Sequence, residues 1–520
     1  MVASGRLPEG KVPWELIARH LGDALPEAVL LGPRCGEDAA LVEIGGEVWA
    51  VASDPISFTS NQAGRLAVEV NANDVAVRGA RPRFFLAVIL LAPTEASPAL
   101  VADTLEQVRA ACRRLDVALI GGHTEVAPGL DHSLVVGTML GPVVARPITT
   151  GGLRAGDRIG LTGPAGLEGT AILVRDLGDR LRELYDPALV EELEEIAEHS
   201  SLSVVSQALA AAAVVGVSSL HDVTEGGVGE ALHELGRASG LALEVRSEDI
   251  PVLAATRTLC ADLGIDPLGL LGSGALLVGC CEAAAVEVEQ VLAAEGARVR
   301  WIGRAIGPGE GCPVPRFPRD EILKAWYLVG VRAVVFDMDG TLVDSDYDWP
   351  AIRQRLEVHG PSIIDQLNGL PDPERDEKWE VLRGIEEQAT RAATLKDGSL
   401  ELLELLKESG IATALVTNNS GDNARHLLDR LGLRFDVVLT RDSGLWKPSG
   451  APIHEAMRLL DVTPDECLAV GDSSYDLEAA RAAGCRRVCL LYGGAEHHGD
   501  QADLAFSDVR AFTRYLRLVL

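Results

Sequence analysis

Val331-Arg332-Ala333-Val334-Val335-Phe336-Asp337-Met338-Asp339-Gly340-Thr341 is an apolar run that ends in two carboxylates and a tight turn, followed by Leu342-Val343-Asp344-Ser345-Asp346. In an extended strand residues i and i+2 share a face, so Asp337 and Asp339 project together from the strand's carboxyl end. Ligand crevices of open α/β sheets lie at that end. Two neighbouring acids repel unless a cation lies between them, and a divalent metal bound through oxygen is the natural one. From about residue 330 onward strand-like and helix-like segments alternate, the pattern of a doubly wound parallel sheet.

Three more constellations follow. Thr417 ends an apolar run over residues 411–416 and precedes Asn418-Asn419-Ser420. Lys447 stands before Pro448, where a helix is expected to start. Gly471-Asp472-Ser473-Ser474-Tyr475-Asp476 follows the apolar run 467–470. A lone acid in such a place reads as a helix cap or a solvated loop residue; four motifs in this order do not.

The series resembles motifs I to IV of the haloacid dehalogenase (HAD) superfamily over residues 332–520, with a phosphoglycolate phosphatase-like cast. The resemblance implies a Mg²⁺-dependent phosphatase acting on a small phosphorylated metabolite. Asp337 would be the nucleophile that forms an aspartyl-phosphate, and Asp339 the general acid and base. Thr417 and Lys447 would hold the transferring phosphoryl oxygens. Asp337, Asp472, Asp476 and Asp339, the last through its backbone carbonyl, are the implied metal residues. Dehalogenases and transport ATPases of the superfamily lack the second acid, which leaves phosphomutase as the minor alternative. Residues 344–396, with a charged helical stretch over 375–393, are expected to form a small helical cap that sets specificity. Tyr347 and Trp349 at its start fit either substrate contact or packing of the cap. His497-His498 reads as an exposed loop pair rather than a metal site.

The first two-thirds carry a different set of signals. Strand-like runs over 47–52, 84–91, 117–120 and 134–139 alternate with helix patterns over 64–78 and 98–115. A second block begins near residue 151 and ends with strand-like runs over 275–279 and 297–302. Between them lie Gly36-Glu37-Asp38, Ser53-Asp54-Pro55, Asn71-Ala72-Asn73-Asp74, Gly121-Gly122-His123-Thr124-Glu125, Gly166-Leu167-Glu168-Gly169-Thr170 and His221-Asp222-Val223-Thr224-Glu225-Gly226-Gly227. Acids at loop tips can converge on Mg²⁺ ions that bridge phosphate oxygens. Glycine-rich turns let the backbone approach phosphates closely.

This order resembles the AIR synthase-related (PurM-like) superfamily over residues 10–310, and its HypE-like members most. The resemblance implies ATP in the cleft, a homodimer joined through the amino-terminal halves, and Asp38, Asp54, Asn73, Asp74 and Glu125 as cofactor-binding residues. His123 stands where many relatives carry an acid, and a neutral imidazole is a poor Mg²⁺ ligand. HypE ends in a cysteine tail; here Cys312 lies in a Gly- and Pro-rich stretch that continues into the hydrolase and reads as a linker thiol. Cys35 reads as structural.

The expected architecture is an α/β and α+β chain. Residues 1–150 form an amino-terminal ATP-binding domain, 151–315 its carboxy-terminal partner, 316–331 a linker and 332–520 the hydrolase. The functional expectation is a bifunctional protein, with two alternatives for the AIR synthase-like half: a non-catalytic dimerisation or ligand-sensing scaffold, or a maturation-type factor docking a partner protein.

The 520 residues carry a formal net charge of −30, which argues against a nucleic-acid surface. Hydrophobic residues make up 47 %, enough for several cores, yet no apolar run is long enough to span a bilayer. The nine cysteines show no C-x-x-C spacing and are expected as reduced thiols in a cytoplasmic protein, with Cys280 and Cys281 as packing residues.

Overall fold

The computed structural model describes residues 7, 10–22, 25–58, 62–345, 347–359, 362–492 and 502–520. His497 and His498 lie outside the described residues. The chain divides into two compact units: Met1–Ala261 with Ile265–Leu323, and Asp262–Gly264 with Lys324–Leu520.

The first unit contains two sheets. One is built from β1 (Val29–Leu31), β2 (Ala40–Ile44), β3 (Glu47–Ala52), β4 (Pro55–Ile56), β5 (Phe84–Leu91), β6 (Ala118–Val126) and β7 (Leu134–Pro142). Its order is β1-β2-β3-β7-β5-β6, with β4 also on β7, and only β5 and β6 run parallel. Along β5, Phe85, Ala87, Ile89 and Leu91 are buried while their neighbours are not, the period-2 pattern of a one-sided sheet. Helix Ala63–Ala76 packs against this sheet and is buried along nearly its whole length.

The strand expected over 117–120 continues to Val126. Gly121-Gly122-His123-Thr124-Glu125 therefore belongs to an edge strand rather than a loop. Pairing with β5 holds the two glycines extended, and at Gly122 (φ +151°) a Cβ would run into the Ala87 backbone.

The second sheet comprises β8 (Arg158–Thr162), β9 (Val217–Asp222), β10 (Leu241–Val245), β11 (Leu276–Cys280) and β12 (Val299–Pro308), ordered β10-β12-β8-β11-β9 and antiparallel throughout. Ile159, Leu161, Leu277 and Ile302 meet Val228 and Leu232 of helix Gly227–Ser239 in one core. The Gly- and Pro-rich stretch after β12 is not loose. Val314 is buried in that core, with Cys312 and Phe317 packed against it. The Asp320 carboxylate accepts backbone N–H groups from Gly226 (2.7 Å), Ile322 (2.9 Å) and Leu271 (3.3 Å). Apolar contact and a buried acid seat this segment on the first unit. All nine cysteines are free; Cys280 is buried as expected, but Cys281, just past the end of β11, is exposed.

The second unit is a six-stranded parallel sheet, with β13 (Ala333–Phe336), β16 (Ala412–Val416), β17 (Val437–Leu439), β18 (Cys467–Gly471), β19 (Arg487–Leu491) and β20 (Leu504–Phe506) in the order β17-β16-β13-β18-β19-β20. Every residue of β13 and β18 is buried, as strands covered on both faces must be. The first strand of this sheet in chain order, β13, lies between β16 and β18, so the crossovers diverge there and a crevice opens at its carboxyl end. A short antiparallel ribbon, β14 (Val343–Asp344) with β15 (Thr394–Leu395), frames three helices, Trp349–Leu356, Ile363–Asn368 and Glu374–Ala392. These helices pack around Ile352, Leu356, Leu367 and Leu382 as a cap with its own small core. The helix after Lys447 starts at Ala451, with Pro452 in its first turn, rather than at Pro448. No helix among the described residues is long and apolar enough to cross a membrane.

Candidate functional sites

In the second unit Asp337 follows β13, Thr417 follows β16 and Asp472 follows β18, which sets them side by side at one end of the sheet. Lys447 donates from Nζ to Asp337 and to Asp476 Oδ1 (2.6 Å). Asp337, Asp472 and Asp476 offer carboxylate oxygens all within 4.8 Å of one another.

Asp476 sits at the third position of helix Ser474–Ala482, where its Oδ2 accepts from Ser473 N (3.1 Å) and Ser473 Oγ (2.6 Å). Asp476 thus caps the helix and, through Oδ1, also pairs with the lysine that reaches Asp337. Two glycines make room for the cluster. At Gly340 (φ +89°) a Cβ would strike the Asp472 carboxylate, and at Gly471 it would strike Asp476.

The electrostatics are those of a site short of positive charge. Burial pushes the Asp337 carboxyl up, Lys447 pulls it down, and Asp476, Asp472 and Asp339 push it up again, leaving it well above the usual range. Burial and the neighbouring Asp476 lift Asp472 to about 6. One lysine does not offset this many carboxylates, and an all-oxygen donor set fits a hard divalent cation such as Mg²⁺.

Asp339 is held apart from that cluster. Its Oδ1 accepts from Ser345 Oγ and its Oδ2 from Asn419 Nδ2 (3.3 Å), which also donates to the Tyr347 hydroxyl (3.3 Å). Burial raises its carboxyl in spite of these hydrogen bonds. A carboxyl that burial favours in its protonated form, held by its own hydrogen bonds apart from the three-acid cluster, is placed as a general acid needs to be.

A cavity of about 490 Å³ opens over these groups. Tyr347 and Trp349, which the sequence placed either on substrate or in cap packing, both line it and stack with ring centroids 4.7 Å apart. The cap residue Glu386 lines it too, paired with Arg441 through both carboxylate oxygens. Ser345, Asn419, Glu386 and Arg441 were not expected in the site. Asn419 follows Thr417 by two residues and was the one recoverable by proximity.

In the first unit a chain of alternating charges runs through the interior. Arg78, fully buried, donates to Glu37 and to Asp38 Oδ2 (2.6 Å). His221 joins Asp38 (2.9 Å) to Glu234 (3.2 Å) through its two ring nitrogens. Burial alone would push His221 down, but Asp38 and Glu234 together lift it to about 10, so it is an imidazolium at neutral pH. Its atoms group with Asp38 and Asp222, yet both ring nitrogens already face carboxylates, those of Asp38 and Glu234.

Asp74 is buried in helix Ala63–Ala76, not at a loop tip. Its Oδ2 and both oxygens of Asp222, on β9, are buried without a hydrogen-bond partner among the described residues. Burial first, then repulsion from Asp222, Asp54 and Asp38, drives Asp74 well up; burial and Asp38 lift Asp222 to about 7. Unpartnered buried carboxylate oxygens of this kind fit a divalent cation. Asn71, which the sequence did not single out, fixes Asp54: its Oδ1 accepts Asp54 N (2.9 Å) and its Nδ2 donates to Asp54 O (3.2 Å).

Two expected cofactor residues do not join this group. Asn73 is a brace, donating to Leu202 O (2.9 Å) and accepting from Val204 N (2.9 Å), so both ends of its amide are engaged by the backbone. Glu125 lies opposite Leu90, Leu90 opposite Leu134, and the next residue Val135 opposite Ile56. Strands β5 and β7 thus stand between it and the Asp54 end of the sheet, about 14 Å at ~4.8 Å per strand. His123 shares that exposed strand, 3.4 Å from Glu125.

These charges set a pH dependence. The raised acids Asp222 and Asp320, each at about 7, bind protons more tightly folded than unfolded, so their contribution falls as pH rises from about 4 to 7. His221 contributes fully below its unfolded value near 6.5 and is lost as pH rises toward 10. The metal-free first unit is therefore expected to melt at a lower temperature at pH 9 than at pH 6. Calorimetry at the two pH values checks this, and a melting temperature that rose with pH would contradict the charge assignment.

Comparisons with known proteins agree with the two-part division. Residues 36–143 match the AIR synthase related protein N-terminal domain, 154–312 the AIR synthase related protein C-terminal domain and 331–484 the haloacid dehalogenase-like hydrolases. Carbamoyl dehydratase HypE of Escherichia coli is 34 % identical over 247 residues, covering 46 % of this chain and 68 % of its own. Phosphoglycolate phosphatase of Chromobacterium violaceum is 30 % identical over 207 residues, covering 34 % of this chain and 93 % of its own. Among solved structures a HypE–HypF complex matches with a TM-score of 0.47 at 20 % identity, over 59 % of this chain and 99 % of that one. The chain belongs to both families: it is a fusion of a HypE-like AIR synthase-related protein with a haloacid dehalogenase-like hydrolase.

Proposed function

We propose that the second unit is a phosphomonoesterase that works through an aspartyl-phosphate, and that the first unit binds ATP. The observation that carries the phosphatase reading is Lys447 fixed between Asp337 and Asp476, with Asp472 beside them and a separately held Asp339. Asp337 attacks phosphorus as the bond to the leaving oxygen breaks, and Asp339 delivers its proton to that oxygen. Asp339 then takes a proton from water, whose oxygen displaces Asp337 and frees phosphate. Thr417 and Lys447 hold the phosphoryl oxygens, and Asp476 keeps Lys447 aimed. Mg²⁺ would be held by Asp337, Asp472 and the Asp339 backbone carbonyl, with Asp476 beside it. When bound it neutralises the phosphate and the carboxylates.

For the first unit, the unpartnered oxygens of Asp74 and Asp222 support a metal–nucleotide site that includes Asp54. Asp38 is drawn toward Arg78 and His221 and serves to position that group. The edge strand β6, exposed at all nine residues including Leu119, Ile120 and Val126, supports a homodimer joined through this half of the molecule.

Phosphate release with Mg²⁺ across phosphorylated metabolites, with and without ATP, tests the whole. Hydrolysis that ignores ATP, together with no Mg²⁺-dependent ATP binding, would leave the first unit a scaffold. A substrate whose turnover needs ATP and is lost in Asp54→Asn would make the protein bifunctional.

A further inference from the structure

We propose that the hydrolase cavity selects phosphate esters of uncharged aromatic alcohols, and that Glu386 sets this preference by neutralising Arg441. The proposal rests on the phosphatase reading of the same site. A volume of about 490 Å³ is far more than a two-carbon acid fills and falls in the range of pockets that hold drug-sized ligands.

The wall away from the metal residues is apolar and aromatic. Ile363, Ile364 and Leu382 line it with the stacked pair Tyr347 and Trp349. Trp349 is 48 % exposed although it borders the cavity, an indole face placed where a flat ligand can stack. Tyr347 is tied by its hydroxyl to Asn419, which also holds Asp339, so the aromatic wall is registered to the acid that protonates the leaving group.

The charges around the cavity point the same way. Three cations line it, and each has a partner. Lys447 binds Asp337 and Asp476, and Arg353 donates to the Tyr475 hydroxyl at 3.1 Å. Arg441 is held by both oxygens of Glu386, each side chain 8 % exposed, and it also donates to Asn418 O at 3.2 Å and faces the Trp379 ring at 5.0 Å. A guanidinium fork is the group that would grip a second carboxylate on the leaving group. With its fork filled by Glu386, Arg441 offers an anionic leaving group a neutral ion pair instead of a free cation. Glu386 is thus a positioning residue that acts through Arg441.

The test compares the full chain with Mg²⁺ on benzyl phosphate, adenosine 5′-monophosphate, propyl phosphate and 2-phosphoglycolate. Wild type should favour the two aromatic esters over 2-phosphoglycolate by at least about tenfold in kcat/KM. Trp349→Ala should narrow that margin through KM. Glu386→Gln should move the ratio about tenfold toward 2-phosphoglycolate by a gain on that substrate, the scale of one released charge-assisted hydrogen bond. A wild-type preference for 2-phosphoglycolate would overturn the proposal. So would an equal loss on every ester in Glu386→Gln, which would make the pair a latch between cap and core. Absence of hydrolysis of all four, and of acetyl phosphate as well, would overturn the phosphatase reading and this preference with it.

Discussion

Asp337→Asn is expected to abolish phosphate release while raising the melting temperature of the metal-free protein. The loss should be ~10⁴-fold or more, the scale on which removal of a nucleophile acts. The gain in stability follows from the site's make-up: burial first, then repulsion from Asp476, Asp472 and Asp339, holds the Asp337 carboxyl well above the usual range against the pull of Lys447, so an ionised Asp337 is costly there. Neutralising it removes repulsion, while Lys447 keeps its 2.6 Å partner Asp476. Mg²⁺ should then stabilise the variant less than wild type, because a carboxylate that favours the bound ion is gone. Phosphate assays and melting curves with and without Mg²⁺ check all three results together. Activity retained in Asp337→Asn would remove the aspartyl-phosphate mechanism. Lost activity with a lowered metal-free melting temperature would mean that Asp337 serves the fold rather than the reaction.

The hydrolase site was readable because a parallel sheet writes its site into local sequence. Asp337, Thr417 and Asp472 each come directly after an apolar strand, so the strand ending and the functional residue appear in one short stretch. What surrounds Asp339 comes from farther away, since Ser345 and Tyr347 belong to the path into the cap. The Glu386–Arg441 pair spans 55 residues, and no local pattern announces it.

In the first unit the same reading reached less far. An asparagine beside an acid in a helix can be a ligand or a brace, and only the backbone at Leu202 and Val204 decides that Asn73 is the latter. Gly121-Gly122 reads as a turn when β5 is out of view, and this carried Glu125 into a loop that does not exist. Asp222 was visible in its motif, but its unpartnered carboxylate depends on burial that sequence does not state.

Arg78 shows the physical limit most clearly. Four residues after Asp74 and two past the end of helix Ala63–Ala76, it belongs to no motif in the sequence, yet its side chain is 0 % exposed. Its guanidinium donates to Glu37, Asp38 and Thr150 Oγ1 (2.8 Å), and Glu37 in turn accepts Thr150 N and Gly151 N at 3.0 Å each. The arginine therefore joins the loop carrying Asp38 to the turn that begins the second sheet's half. Arg78→Met is expected to cost about 3–5 kcal/mol, because removing one partner of a buried pair strands the other charge. Arg78→Lys should cost less, since it keeps the charge but not a fork that reaches both acids. Glu37→Gln added to Arg78→Met should recover part of the loss, as coupled neighbours do and independent sites do not. Urea unfolding, with hydrogen exchange followed in helix Ala63–Ala76, measures these differences. A loss below about 1 kcal/mol in Arg78→Met would place the network among ordinary solvent-screened pairs. A loss of the expected size, partly reversed by Glu37→Gln, would establish that this buried ion chain fixes Asp38 beside Asp74 and Asp222.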